Sequence, residues 1–303
     1  MSTIGNSSHT IAESSTRASK SDRSSVSVQS QNAALHPELM DALREHLRGD
    51  ISDVDSAVIL GSGLGGFAES IENRLEIPYE QLPGFPKSTV PGHHGSLLYG
   101  TIRNRKVIAF SGRFHRYEGY SFSQTVLPVQ LSHALGVRHL IISNAAGAIN
   151  TRFMVGDLIL IQDLFRFFEK VAAFPSEPFR LDLMPAVHHA ESIAKSIGLP
   201  VRRGTYLFAK GPTYETKAEV EAFRRVGADM VGMSTVPEIL EATRLGLPVI
   251  AVSLITNMAA GVQKGKLHHD EVKVAAERKK HDFARLVSGI ILSGWNPNEE
   301  AAV

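Results

Sequence analysis

Arg113, His115 and Tyr117 stand at alternate positions just after the apolar run Val107-Ile108-Ala109-Phe110. In an extended segment successive side chains point to opposite faces, so these three share one. A guanidinium, an imidazole and a phenol converging at the end of a buried strand make a poor core contact. They suit a phosphate held beside a sugar, since the planar donors of an arginine match phosphate geometry. The same pattern also fits an edge strand with a solvated polar face.

Other apolar runs end in comparable clusters. Ala57–Leu60 leads into Gly61-Ser62-Gly63-Leu64-Gly65-Gly66, which matches the dinucleotide pattern GxGxxG in form. That fingerprint also wants an acidic residue closing a second strand about 20 residues on. Here the region holds Glu76, Glu80 and several prolines. The narrower inference is an anion site built from backbone N–H groups and the Ser62 hydroxyl at a helix start; the alternative is a tight glycine turn with no ligand. His93 lies in the turn Pro91-Gly92-His93-His94-Gly95, and Ala145 in Asn144-Ala145-Ala146-Gly147, where small residues allow close approach to the backbone. Met233 and Ser234 precede Pro237, so Ser234 is read either as a helix N-cap or as a phosphate ligand. Tyr214 and Glu215 bring a ring and a carboxylate to one turn, and Asn257 ends the run Ser253-Leu254-Ile255-Thr256.

The chain lacks a GxxxxGK[ST] phosphate loop, a GxSxG nucleophile elbow and HExxH. The pairs His93-His94, His188-His189 and His268-His269 are adjacent and point apart, so no metal is expected. There is no cysteine, which removes disulfides, thiolate metal sites and cysteine nucleophiles and suits a reducing cytoplasm. A formal net charge of +1 over 303 residues argues against a protein that coats nucleic acid. No apolar run reaches membrane-spanning length, so no membrane partner is expected.

These clusters need a scaffold to bring them together. Residues 1–35 are rich in serine and poor in large apolar side chains, which predicts a disordered tail. The body is expected over 36–296, followed by a flexible C-terminus at 297–303. A helix is expected from Pro37 to about Leu47, with Leu39, Met40, Leu43 and Leu47 at helical spacing. Six apolar runs read as strands: Ala57–Leu60, Val107–Phe110, Leu140–Ser143, Leu158–Gln162, Met230–Met233 and Val249–Ile255. Several are too uniformly apolar for a half-exposed strand and imply cover on both faces. Helical patterns lie between them at Phe122–Leu135, Ala186–Ile197, Lys217–Val226 and Pro237–Leu245, and a last one runs from about Asp270 to Ser293. This alternation predicts a single α/β domain with a mixed, largely parallel central sheet flanked by helices.

GSGLGG, PGHHG, GRFHRYEGY, SNAAGAIN, GPTYETKAE, GADMVGMSTVPE and SLITNMAAG stand in the order seen in trimeric purine nucleoside phosphorylases, which the chain resembles from about Val58 to the last helix. The resemblance implies the nucleoside phosphorylase fold and a pentosyltransferase that needs no cofactor, inorganic phosphate being a co-substrate. It places phosphate against Ser62, Arg113, His115, the backbone at Ala145 and Ser234, with His93 nearby. It places the ribose against Tyr117, Met233 and His269, and the purine near Tyr214 with Glu215 and Asn257 on its polar edge. His115, Glu215 and Asn257 are the residues it implies for catalysis. Asn257 and His269 together imply 6-oxopurine nucleosides, inosine and guanosine, cleaved to the base and (deoxy)ribose 1-phosphate in purine salvage. A homotrimer in the cytoplasm is implied as well. The alternatives are a methylthioadenosine phosphorylase, a hydrolytic nucleosidase and a catalytically silent nucleoside-binding protein. The chain departs from the family between Asp163 and Pro185, which is shorter and more aromatic; Phe174 or Phe179 is the candidate there to complete a neighbouring subunit's ribose site.

Overall fold

The computed structural model describes residues 37–47, 51, 53–62, 64–87, 95–167, 180–263 and 269–296. The expected tail and C-terminus, His93, and Phe174 and Phe179 lie outside them. In chain order the elements are α1 (Pro37–His46), β1 (Ser56–Leu60), β2 (Glu72–Pro78), β3 (Ser96–Ile102), β4 (Arg105–Ser111), α2 (Phe122–Thr125), α3 (Leu127–Ala134), β5 (His139–Ala148), β6 (Leu158–Phe165), α4 (Met184–Ser196), β7 (Arg202–Phe208), α5 (Lys217–Arg225), β8 (Met230–Gly232), α6 (Val236–Arg244), β9 (Val249–Met258) and α7 (His269–Ser293).

Among the described residues, nine strands form one sheet in the order β2-β3-β4-β1-β5-β8-β7-β6-β9, and β9 pairs back onto β5. That last pairing closes β5, β8, β7, β6 and β9 into a ring. Parallel pairings join β1 to β4 and β5, β5 to β9, β6 to β7 and β7 to β8. The others are antiparallel, so the sheet is mixed. Strand β1 is buried at every residue because a strand covers each edge and helices cover its faces. One apolar layer gathers Ile59, Phe110, Leu140 and Ile142 with α1 and α6; the other gathers Val58, Leu60, Ile141 and Val252 with α4 and α7.

Three strands, β2, β3 and β7, are not legible as apolar runs. Most of β2 is exposed at the sheet edge, and β3 and β7 mix glycine and polar residues with apolar ones. The helix expected over Phe122–Leu135 is two helices that meet at Val126. Pro128 stands in the first turn of α3, where its missing N–H and fixed φ are tolerated, whereas within one continuous helix it would break the ladder. The expected anion-binding helix after GSGLGG is a six-residue 3₁₀ turn, Gly65–Ser70, with no side-chain cap. The next strand, β2, runs antiparallel to β3, so this turn does not open a parallel βαβ unit.

Candidate active site

Parallel strands bring their carboxyl ends to one edge of a sheet, where ligands bind in α/β folds. The register sets β4, β1 and β5 side by side there, with Leu60 opposite Ser111 and Ile59 opposite Ile142. It also sets Gly147 of β5 against Asn257 of β9. Strand β8 runs the opposite way to β5, with Val231 opposite Gly147, so Met233 and Ser234 pass back over Ala145. One cleft results. It is lined by Ser62, Arg113, His115, Tyr117, Ala145, Tyr214, Glu215, Met233, Ser234 and Asn257, all expected from the sequence. Ala146, Gly147, Val231, Gly232 and Thr256 complete its wall. His269 opens α7, and its side chain lies outside the described part of the structure.

The shared face of Arg113, His115 and Tyr117 is real, although the strand ends at Ser111. Phe114 turns the other way into the core, 3% exposed. Arg113 is itself only 2% exposed and is fixed by three acceptors. Its Nε donates to Glu238 Oε1 at 2.8 Å, and its Nη1 donates to the Ser143 carbonyl at 2.7 Å and to Ser234 Oγ at 3.2 Å. Glu238 is as buried as its partner, at 3%. A buried carboxylate of this kind neutralises the guanidinium and sets its plane, and removing one partner would strand the other charge. Gly61 allows this packing: a Cβ there would lie 2.5 Å from the Ser143 carbonyl oxygen and 3.1 Å from Arg113 Nη1.

His115 is held by Glu118, whose Oε1 accepts from the His115 backbone N–H and from Nδ1, both at 2.8 Å. A carboxylate only accepts, so Nδ1 carries the proton and the ring orientation is fixed. The imidazole stacks on the Tyr117 ring, with centroids 4.7 Å apart and planes 18° apart. Burial, with Glu118 adding to it, pushes the Tyr117 phenol up to about 12, so it is a neutral hydroxyl at physiological pH.

Ser234 is not the N-cap expected as one alternative. Thr235 holds that position, without a capping hydrogen bond, at φ 76. Positive φ is costly for a β-branched residue. Its hydroxyl accepts from Asn144 Nδ2 at 2.9 Å, within a fully buried setting.

At the far end of the cleft Tyr214 is 49% exposed and Glu215 is half-buried. Burial raises the Glu215 carboxyl above its ordinary range; a backbone N–H opposes this and Glu219 reinforces it. Asn257 is 7% exposed, and its amide sits against Gly147, Thr256 and the Met258 carbonyl.

Glu118, Ser143, Thr235, Glu238 and Thr256 do not stand out in the sequence. Glu118 follows His115 by three residues, the spacing of a capping box, and this is the one available signal. Glu238 reads as an ordinary first-turn helix carboxylate, and only the fold brings it to Arg113.

The cleft thus joins a buried cationic end, a phenol in the middle and a carboxylate–amide pair at the far end. Residues 55–292 match the family model described as the phosphorylase superfamily. The chain is 45% identical over 247 residues to purine nucleoside phosphorylase 1 of Bacillus subtilis, covering 77% of this chain and 90% of the relative. It is 38% identical over 263 residues to the purine nucleoside phosphorylase of Bos taurus, covering 78% and 90%. It superimposes with a TM-score of 0.74 and 32% identity on a Schistosoma purine nucleoside phosphorylase solved with hypoxanthine, covering 85% of this chain and 98% of that one.

Proposed function

The chain belongs to the purine nucleoside phosphorylase family, and we propose that its cleft cleaves the N-glycosidic bond of 6-oxopurine nucleosides with phosphate. The observation that carries this reading is the convergence, in one cleft, of Arg113, His115 and Ser234 at one end with Tyr214, Glu215 and Asn257 at the other.

Phosphorolysis needs no protein nucleophile. A phosphate oxygen bonds to the anomeric carbon on the face opposite the base, and the C1′–N9 bond breaks with its electron pair passing to the purine. The hydrogen phosphate gives up its proton as its oxygen forms the ester, and the released base takes up a proton. The protein's part is placement and charge stabilisation. Arg113, pinned through Nε and Nη1, offers a rigid guanidinium; His115, Ser62, Ser234 and the backbone at Ala145 complete the phosphate subsite. Tyr117 and Met233 meet the ribose. Asn257 donates to the purine as negative charge develops on it, and Glu215 accepts from the N1–H that hypoxanthine and guanine carry and adenine lacks. A site built for that hydrogen bond rejects the analogue without it by roughly 10⁴–10⁵. No cofactor is required. The working form is a homotrimer in the cytoplasm, in keeping with the family and with a chain free of cysteine.

The test is release of base from inosine, guanosine, adenosine and methylthioadenosine with and without phosphate. Turnover of inosine and guanosine that depends on phosphate is expected, with adenosine and methylthioadenosine far behind. Turnover without phosphate would make the protein a hydrolase, and comparable turnover of adenosine would sink the 6-oxopurine assignment.

A further inference from the structure

The purine end of the cleft is built on an irregularity in β9. Ile255 pairs with Ala146 and Asn257 with Gly147, so Thr256 is an extra residue with no partner on β5. In a regular strand neighbours point to opposite faces, yet Thr256 and Asn257 both line the cleft. A bulge re-aims side chains in this way, and bulges gather beside active sites. Its consequence is a short bond between the two side chains: Thr256 Oγ1 donates to Asn257 Oδ1 at 2.9 Å, in preference to the Ala146 carbonyl at 3.5 Å. The other half of the amide faces acceptors, with Nδ2 donating to the Met258 carbonyl at 3.3 Å. Gly147 leaves room for it, since a Cβ there would stand 3.0 Å from Nδ2. Thr256 is 1% exposed, so no bulk water competes for its hydroxyl.

An asparagine amide has two nearly isosteric orientations that exchange a donor for an acceptor. We infer that Thr256 is a specificity-determining positioning residue, which locks the Asn257 amide with its N–H as the group offered to the purine. The inference rests on the phosphorylase reading above. An N–H matches the acceptors of a 6-oxopurine, the 6-oxo group and N7. Against a 6-amino group it sets donor against donor. The rotated amide would accept from that amino group, but it would set Oδ1 against the Met258 carbonyl and, with Nδ2 now donating to Thr256 Oγ1, leave the threonine proton only the Ala146 carbonyl at 3.5 Å. Discrimination at the 6-position is thus held by a hydroxyl one residue away from the group that reads it, acting alongside Glu215 at N1.

The experiment is the ratio of kcat/KM for inosine to kcat/KM for adenosine, in phosphate, for the wild type, Thr256→Val, Thr256→Ala and Thr256→Ser. Removing the hydroxyl removes the penalty on its unmatched proton, on the order of one buried hydrogen bond, and makes the rotated amide about tenfold more accessible. The ratio is therefore expected to fall by about tenfold in Thr256→Val and Thr256→Ala, and Thr256→Ser, which keeps the hydroxyl, is expected to restore it. A loss of stability or packing alone would lower both substrates together and leave the ratio unchanged. Either an unchanged ratio in Thr256→Val and Thr256→Ala or a ratio in Thr256→Ser as low as theirs overturns the inference while leaving the phosphorylase reading intact. A wild type that fails to cleave inosine with phosphate overturns both.

Discussion

In the proposed reaction Glu215 would accept from a purine N1–H only while it is ionised, and its surroundings work against ionisation. Burial is the main cause, offset in part by a backbone N–H and reinforced by Glu219. Its carboxyl therefore takes up a proton at a higher pH than an ordinary glutamate does. The protonated group donates instead of accepting, which leaves the N1–H of the base without a partner. The sign follows directly: activity on inosine is full above the raised pKa and falls as pH drops through it. kcat/KM for inosine is expected to decline on acidification from neutral pH, with an apparent pKa above the usual carboxylate range of about 4.3. Glu215→Gln is expected to remove that acid limb and to lower activity at neutral pH by about 10²-fold, because its amide can present a donor where an acceptor is needed. A wild-type profile that stays flat down to the ordinary glutamate range would show that Glu215 does not read the base. Arg113 adds a residue-scale point about charge: the anion end of the cleft gains less from net positive charge than from a guanidinium whose plane Glu238 has already set.

Strand ends are the most legible elements, because an apolar run that breaks into glycines and polar groups marks both a buried strand and the edge where a ligand can approach. That is why Ser62, Arg113, Ala145, Ser234 and Asn257, scattered over almost 200 positions, can be grouped from the amino-acid sequence alone. The supports of those residues are hidden by the same alternation rule. A bulge at Thr256 leaves no trace in periodicity, and the partner of Arg113 lies 125 positions away at the start of α6. Strand β2 escapes because an exposed edge strand carries no apolar run. Helix α5 shows a cap that is legible in form though not in purpose. Thr216 Oγ1 accepts from the Glu219 N–H at 3.2 Å, and Glu219 Oε2 accepts in return from the Thr216 N–H at 2.7 Å. This box fixes the chain direction just after Tyr214 and Glu215, the two residues at the far end of the cleft, where the purine is proposed to bind. Thr216→Ala is expected to cost about 1 kcal/mol in chemical denaturation and to raise KM for the nucleoside while KM for phosphate stays put. Equal rises in both constants would mean that the cap stabilises the fold without aiming the pair.

At the scale of the whole molecule, the two ends of the sheet respond to acid for different reasons. The cleft occupies the carboxyl ends of the parallel strands, whereas His139 begins β5 at the opposite end, 1% exposed. Its Nε2 meets Ser56 Oγ at 3.1 Å at the start of β1, and its Nδ1 donates to the Trp295 carbonyl at 2.9 Å just past α7. One imidazole thus ties β1, β5 and the last helix together, with Trp295 tilted against it at 54° and stacked on His189. Burial drives its pKa down to about 4; the Trp295 carbonyl and Asp55 oppose this, while His189 and Arg138 add to it. The neutral ring is therefore the native form, and the unfolded chain binds a proton there first. Stability from this group is complete above about pH 6.5 and is lost as pH falls toward 4, by about 3 kcal/mol in all. Carboxylates titrate over part of the same range, so the measurement is a difference. Unfolding free energies of the wild type and His139→Gln are compared from pH 7.5 to 4. The wild type is expected to be the more stable at pH 7.5, and its advantage is expected to shrink by about 3 kcal/mol by pH 4. Parallel curves would mean that His139 takes up a proton as readily in the native state as in the unfolded chain. Because Glu215 lies at the far end of the sheet, His139→Gln is expected to leave the acid limb of kcat/KM where it was, and a limb that moved with it would couple the two ends of the molecule.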